Sequence, residues 1–312
     1  MNLGIVVAVA LILVVVGSIG FHFMSPWWWT PIASNWGYID DTIIVTFWVT
    51  GVVFVAVLFF MAYCVYRYSY QADRRSEYQP ENTKLEWWLT GLTTVGVVIM
   101  LTPGLFVWNQ FVTVPEGAAE FEVIGQQWQW SFRYPGKDGV LGTTDVRNIS
   151  DENPFGLNPN DPNGQDDLLI EDSEAHLPID QPVKVLMRSI DVLHDFYVPE
   201  FRAKMDMVPG MVTYIWLTPT RTGTFDILCF ELCGIGHYTM RGSMVVEEAS
   251  AFEAWLEEQT TFAEYLAEAE TDSGGGSGLA SSDATADLRV TSLSAVSVEP
   301  MEPDEKNVKE EF

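Results

Sequence analysis

The segment Cys229-Phe230-Glu231-Leu232-Cys233-Gly234-Ile235-Gly236-His237-Tyr238-Thr239-Met240 holds two thiols, an imidazole and a thioether within twelve consecutive positions. Soft sulfur ligands together with imidazole suit copper, and a weak methionine at the end of such a loop is the pattern of copper electron-transfer sites. A second imidazole, His194, stands in Asp191-Val192-Leu193-His194 on a separate strand-like segment. The number of cysteines then selects among copper sites. A mononuclear blue site uses one Cys, two His and a weak axial ligand, so a second Cys is surplus there. Two bridging thiolates can instead hold two coppers, each capped by one imidazole. The residues present meet that requirement with Cys229 and Cys233 as bridges, His194 and His237 as terminal ligands, and Met240 and the Glu231 backbone carbonyl as weak axial ligands. Two other readings stay open. Paired cysteines outside the cytoplasm can form a disulfide, and Cys-x3-Cys-x3-His with a remote His can hold structural zinc. Neither uses Met240.

Around this segment the chain alternates apolar and polar residues in short runs, such as Phe121-Glu122-Val123-Ile124, Val183-Lys184-Val185-Leu186 and Tyr214-Ile215-Trp216-Leu217. Strands of this length separated by Pro, Gly, Asn and Asp predict an all-β soluble domain, a sandwich or small barrel, over 114–248. A polar stretch at 135–178, rich in Asn-Pro and Asp-Pro steps, predicts a solvated excursion from the sheet. Its carboxylates invite calcium. The EF-hand pattern fails, because Pro159 and Asp161 fall where the first and third ligands belong.

Before Val114 the character changes. The runs 3–23, 43–66 and 87–112 lack charge for close to or beyond the ~20 residues that a helix needs to cross a bilayer. In hydrocarbon each backbone amide must be satisfied within its own segment, so such runs are helices. The second and third predict a transmembrane hairpin within 24–113. The first, 1–23, reads either as a signal peptide or as an additional membrane helix, and it lacks the positive n-region of a signal. Before Arg133 the cations are Arg67, Arg74, Arg75 and Lys84, all between the second and third runs. The positive-inside rule puts that loop in the cytoplasm and everything after Val114 outside. Trp27, Trp28, Trp29 and Trp36 read as interfacial aromatics on the outer side. Beyond 248 lies an acidic extension, expected to form one short amphipathic helix through Trp255, Leu256, Phe262, Tyr265 and Leu266, then a Gly/Ser linker and a disordered tail. His22 and His176 lack motifs, and Cys64 in an apolar helix reads as a small hydrophobe.

Cys229 to Met240 matches, position by position, the C-x-E-x-C-G-x-x-H-x-x-M loop of subunit II of cytochrome c oxidase, and the chain resembles that haem-copper oxidase family from about Asp40 to Glu248. Asp191 to His194 with Val198-Pro199, and Lys204-Met205-Asp206 with Pro209-Gly210, are similar to two further motifs of the family, in the same order. The resemblance implies a membrane α-helical hairpin carrying a cupredoxin-like Greek-key β-barrel with a dinuclear copper centre, CuA. It also implies roles outside the copper loop. Gly125-Gln126-Gln127-Trp128-Gln129-Trp130 resembles the family's G-H-Q-W-x-W segment, which makes Trp128 the aromatic through which cytochrome c delivers its electron and Trp130 a packing residue. Gln126 departs from the family's histidine. The carboxylate of Glu231 is implied to reach magnesium at the boundary with subunit I, with Asp206 in support. Glu86 is implied to stand at the mouth of a proton channel, although Trp87-Trp88-Leu89-Thr90 and Thr93 depart from the family's E-x-x-W-T-x-x-P pattern.

The expected function follows: electrons pass from cytochrome c through CuA to a haem in subunit I, where O2 becomes water with proton pumping, in the bacterial inner membrane. The expected partners are subunits I and III, cytochrome c and the lipid bilayer, with no nucleic acid. A CuA-bearing nitric oxide reductase subunit is the alternative. A quinol oxidase subunit is disfavoured by the retained copper ligands, and a copper-storage protein by the closed ligand set. The formal charge of -27 suits a basic partner, since complementary potentials raise encounter rates by ~10 to 10^3. It also suits a salt-adapted surface.

Overall fold

The three uncharged runs are helices: α1 (Leu3–Met24), α2 (Gly37–Arg67) and α3 (Thr83–Val112), each long and apolar enough to cross a membrane. They belong to a computed structural model that describes residues 3–25, 30–75, 77–78, 80–150, 153 and 155–274. The chain divides into a unit Met1–Glu270, treated below, and a unit Thr271–Phe312 of which the helical residues 271–274 are described. Trp27, Trp28, Trp29 and the acidic tail lie outside the described residues.

Two helices start earlier than their uncharged cores. In α2 the first turn carries Asp40, whose negative charge suits the positive end of the helix dipole. In α3 the Asn82 side chain caps the first turn by accepting from the Leu85 N–H at 3.0 Å, so the helix begins at its cap and not where charge ends. The first run packs along α2, burying Gly4, Ala8 and Val15, with Ala62 the buried residue of α2.

The β domain comprises β1 (Ala119–Gln126), β2 (Gln129–Tyr134), β3 (Leu168–Ile170), β4 (Glu174–Pro178), β5 (Val183–Ser189), β6 (His194–Val198), β7 (Ala203–Met207), β8 (Thr213–Leu217), β9 (Gly223–Cys229) and β10 (Arg241–Glu247). One sheet runs β3-β2-β1-β5-β8 and the other β4-β10-β9-β6-β7, with parallel pairs β1/β5 and β4/β10 among antiparallel neighbours. The three predicted strands all lie in the first sheet. In β5 every second residue is buried, from Val183 through Val185 and Met187 to Ser189, as one core-facing side requires. Inward residues of both sheets, among them Phe121, Val123, Phe132, Phe196, Ile227 and Val246, form one core. This two-layer packing is the flattened form of the expected cupredoxin-like barrel.

The expected solvated excursion at 135–178 needs correction in two respects. The sheet resumes ten residues before its end, with β3 on the edge of β2 and β4 on the edge of β10. The remaining described residues of the stretch form a cover over the outer face of the first sheet. Its Phe155 and Leu157 are fully buried against Ile124 of β1 and Phe262. Beneath it, Arg133 pairs with Glu122 and Asp167, both at 2.7 Å, and donates to the Gly142 carbonyl at 2.9 Å. Arg188 reaches Glu122 and the Phe155 carbonyl. Both faces of β1 are therefore buried, which accounts for the run from Phe121 to Gly125 with no exposed position.

The single C-terminal amphipathic helix is in fact two, α4 (Ala249–Glu257) and α5 (Phe262–Gly274). Thr261 breaks the run because its hydroxyl accepts from the Glu264 N–H at 3.3 Å while Glu264 accepts from the Thr261 N–H at 3.0 Å, a reciprocal cap that starts a new helix. Trp255 of α4 stacks on the His176 ring at 4.1 Å, and His176 in turn holds Glu247 at 2.7 Å. Residues of α4 and of the first part of α5, from Phe252 to Leu266, are part of the domain's packing.

Trp36 is not an interfacial aromatic. It is 1% exposed, tilted against Phe111 of α3 at 5.1 Å, and its indole N–H donates to the Trp216 carbonyl at 2.9 Å. Trp216 in turn donates to the Gln110 carbonyl at 3.0 Å, and Arg202 pairs with Asp40 at 2.7 Å. The outer ends of α2 and α3 are thus bonded directly to the strand domain. Because this pair is largely shielded from water, Asp40→Asn is expected to cost about 1.5–3 kcal/mol. Thermal unfolding in detergent measures that loss, and copper binding should be unchanged.

Candidate metal centre

Strand β6 opens with His194, and β9 closes with Cys229, the two strands pairing with Phe196 opposite Cys229. The loop 230–240 then returns to β10 through a tight 3-10 turn at His237–Thr239. This path folds the sequence motif back on itself. Cys229 Sγ and Cys233 Sγ lie 3.8 Å apart, nearly twice the ~2.05 Å of a disulfide bond, so the thiols are separate donors. Each sulfur faces its own imidazole: His194 Nδ1 is 3.8 Å from Cys229 Sγ, and His237 Nδ1 is 3.6 Å from Cys233 Sγ. Each also has a weak donor beside it. The Glu231 carbonyl is 3.2 Å from Cys229 Sγ, and Met240 Sδ is 3.8 Å from Cys233 Sγ. The chain so brings together all six residues that the sequence nominates.

Burial governs the protons. The desolvation that opposes thiolate formation is offset at Cys229 by hydrogen bonds from His194 and the Asp195 backbone, which bring its pKa down to about 6. At Cys233 burial and then the charge on Cys229 push the thiol up to about 11. The first thiolate forms more readily than the second, and a bound cation would favour the deprotonated form of both. Soft sulfur with imidazole is the donor chemistry copper prefers, and the thioether and carbonyl fit its weak axial positions. The residues present fit that metal.

His194 is fully buried and points Nε2 at Asp191 Oδ1, 2.9 Å away. Burial disfavours its charge, but Cys229 and Asp191 together raise its pKa. Asp191 also accepts from the Gln127 backbone N–H at 2.6 Å, tying the loop between β1 and β2 to the histidine that faces Cys229. A carboxylate on the far nitrogen fixes the ring's orientation and presents Nδ1 to the sulfur side. Desolvation opposes ionisation at Asp191, yet these donors hold its carboxyl below the ordinary value. Trp128, 36% exposed, donates its indole N–H to the Cys233 carbonyl at 3.3 Å, and Gln127 Nε2 donates to the same carbonyl at 2.7 Å. Trp130 is buried edge-on to His194 and Phe196.

The carboxylates nominated for other roles are placed as follows. Glu231 is half-buried, and Asp206 is exposed on β7 opposite Asp195, the residue after His194. Glu86 is exposed in the first turn of α3. With a rise of 1.5 Å per residue, it stands about 39 Å from the outer end of that helix. Two contacts escaped the sequence reading, the bond from Gln127 to the Cys233 carbonyl and the close approach of the Trp128 ring to Gly236. Gln127 could have been found from its place beside Trp128, whereas nothing local marks Gly236.

Residues 120–249 match the family model for cytochrome c oxidase subunit II, periplasmic domain. The chain is 68% identical over 257 residues to the alternative cytochrome c oxidase subunit 2 of Bradyrhizobium diazoefficiens, an alignment covering 82% of this chain and 93% of that one. The chain belongs to the cytochrome c oxidase subunit II family. Cytochrome c oxidase subunit 2 of Cereibacter sphaeroides is 29% identical over 241 residues, 73% of this chain and 77% of that one. Among solved structures, the periplasmic domain of subunit II of cytochrome oxidase of Bradyrhizobium japonicum is 27% identical and covers 46% of this chain and 95% of its own, with a TM-score of 0.34. Membership places the chain among the subunits of cytochrome c oxidases, with apolar helices suited to membrane anchorage and a strand domain of the family's periplasmic type that carries the paired cysteines and histidines.

Proposed function

We propose that the protein is the electron-accepting subunit of a membrane-bound cytochrome c oxidase, taking electrons from cytochrome c at a dinuclear copper centre and passing them to haem in subunit I, where O2 is reduced to water with proton pumping. The observation that carries this reading is the paired arrangement of the site, in which each of two thiols faces its own imidazole and its own weak donor. A copper pair held by these residues would supply a one-electron couple. The protein's part is to hold the donors still. His194 is fixed by Asp191, both thiols are buried, and Met240 is sealed inside the core. Donors that cannot rearrange keep reorganisation small when charge changes, which is the condition for fast electron transfer.

Trp128 is the proposed point at which electrons arrive. It is the exposed aromatic bonded to the backbone of Cys233. The net negative charge of the chain would attract a basic cytochrome c, and salt would weaken that attraction. The relatives are named as oxidases, which favours O2 over nitric oxide as the partner subunit's substrate. We further place the Glu231 carboxylate at a magnesium site shared with subunit I, since Mg2+ takes oxygen ligands and often only one or two carboxylates. Asp206 would support that boundary, and Glu86 would collect protons at the cytoplasmic surface. Subunit III and the bilayer complete the assembly. The cationic loop 68–82 would face the cytoplasm and the strand domain the periplasm.

The test is rapid mixing of the assembled oxidase with reduced cytochrome c. Trp128→Ala is expected to slow the first electron transfer by about 10^2-fold, the loss typical of misplacing a reacting group by an ångström. Retention of the copper spectrum would show that the site survives. An unchanged rate would remove Trp128 from the path.

A further inference from the structure

We infer that Gly236 is a positioning residue for the electron-accepting tryptophan, its missing side chain being the seat on which the Trp128 indole rests. The inference deepens the proposed role of Trp128 and rests on it.

Two glycines flank Ile235 in the metal loop, and they are glycine for different reasons. Gly234 has φ +124°, a conformation that L side chains rarely adopt, so its backbone alone demands glycine. Gly236 has φ -89° and ψ 6°, which other residues adopt. Its backbone makes no such demand, and the reason must lie in what surrounds it. A Cβ on Gly236 would fall 2.3 Å from Trp128 Cδ2, 2.7 Å from Cε3 and 2.8 Å from Cε2. These three atoms belong to the fused edge and six-membered ring of the indole, so the ring lies directly over the glycine.

The same ring is held at two other points. Its N–H meets the Cys233 carbonyl at 3.3 Å, and a Cβ on Gly234 would lie 3.1 Å from Trp128 Cζ2. The loop's bulky side chains contribute little to the seat, since Ile235 is 89% and Tyr238 81% exposed. The indole is thereby pressed onto the backbone that carries Cys233, with a short route from ring to carbonyl to the Cys233 side chain.

A methyl group at position 236 would have to be accommodated at ordinary carbon contact, ~3.5 Å or more. The ring would move outward by roughly 1 Å and lose its bond to Cys233, while the six donors of the metal site would keep their places. Displacements of that size commonly cost up to about 10^2-fold in rate. Gly236→Ala should therefore impair electron arrival selectively.

The experiment uses the assembled, copper-loaded oxidase. Gly236→Ala should keep the paramagnetic resonance spectrum of the copper pair and the rate of electron passage to haem after reduction by hexaammineruthenium(II), a small reductant that bypasses Trp128. Reduction by cytochrome c should slow by about 10- to 100-fold. Adding Gly236→Ala to Trp128→Ala should cause no further slowing, because the ring that the methyl displaces is gone. Wild-type kinetics in Gly236→Ala, beside a slow Trp128→Ala, would overturn the inference while leaving Trp128 in place. If Trp128→Ala itself has the wild-type rate, the parent reading fails and the inference with it. Loss of copper from both Gly236→Ala and the double variant would show that the loop needs this glycine for itself, and would also overturn the proposal.

Discussion

Replacing Cys233 by Ser is expected to abolish the spectrum of an electron shared equally between two copper nuclei, leaving that of a single copper or none. A serine hydroxyl is a hard donor that stays protonated at neutral pH, so it cannot bridge soft metals as a thiolate does. The geometry makes the loss larger than one ligand. Cys233 Sγ is the atom that faces both His237 Nδ1 at 3.6 Å and Met240 Sδ at 3.8 Å, so removing it strands the donors of one half of the site. Cys229 with His194 and the Glu231 carbonyl would remain as the other half. Paramagnetic resonance of the full chain with copper supplied in excess checks this. Survival of the shared-electron pattern in Cys233→Ser would refute the bridging role. A shortened domain ending at Glu248 is a poor vehicle for the test, because it would strip Trp255 and Phe262 from the packed domain.

Arg133→Met is expected to produce the largest loss of stability among surface-remote substitutions, about 3–5 kcal/mol, because it leaves buried carboxylates without their countercharge. Arg133 bonds Glu122, Asp167 and the Gly142 carbonyl at once and is itself buried. Even with Arg133 present, burial pushes the Asp167 carboxyl up to about 6 from the ordinary 3.8. A carboxyl whose pKa is raised on folding favours the folded state most when protonated, and that advantage is lost as pH rises through its folded pKa. Without Arg133 the rise is steeper. The deficit of the variant should therefore be greatest at neutral pH and above, and should shrink on acidification toward pH 4. Chemical denaturation at several pH values measures this directly, and a deficit independent of pH would contradict it. Proteolysis should cut first within the cover at 135–167, which the Arg133 network fastens to the sheet.

Regular elements were readable because their physical causes are local. Uncharged runs long enough to span hydrocarbon became α1, α2 and α3, and the run Val183 to Leu186 fell within a strand, Val183–Ser189, with one buried side. Thr261 illustrates a local signal that was missed. The Thr-x-x-Glu pattern at 261–264 is a reciprocal cap, and reading it would have divided the C-terminal helix correctly. The cover at 135–167 was less accessible, since its polar, turn-rich composition predicts solvation. Its anchoring depends on Phe155 and Leu157 meeting Ile124, and on Arg133 meeting Asp167, pairs far apart along the chain.

From the sequence alone came the donor types, their spacing from Cys229 to Met240, and the division into apolar helices followed by an acidic strand domain, since ligand chemistry and hydropathy are properties of residues and short segments. Only the tertiary structure decided how close His194, already nominated from the sequence, comes to Cys229, that Trp36 is a buried joint and not a surface aromatic, and that Trp128 lies on Gly236. Those facts depend on which segments the pairing of β6 with β9, and the docking of β8 on the helix ends, bring within contact distance. Contacts between residues remote in the chain are set by the packing of the whole domain, so no local pattern carries them.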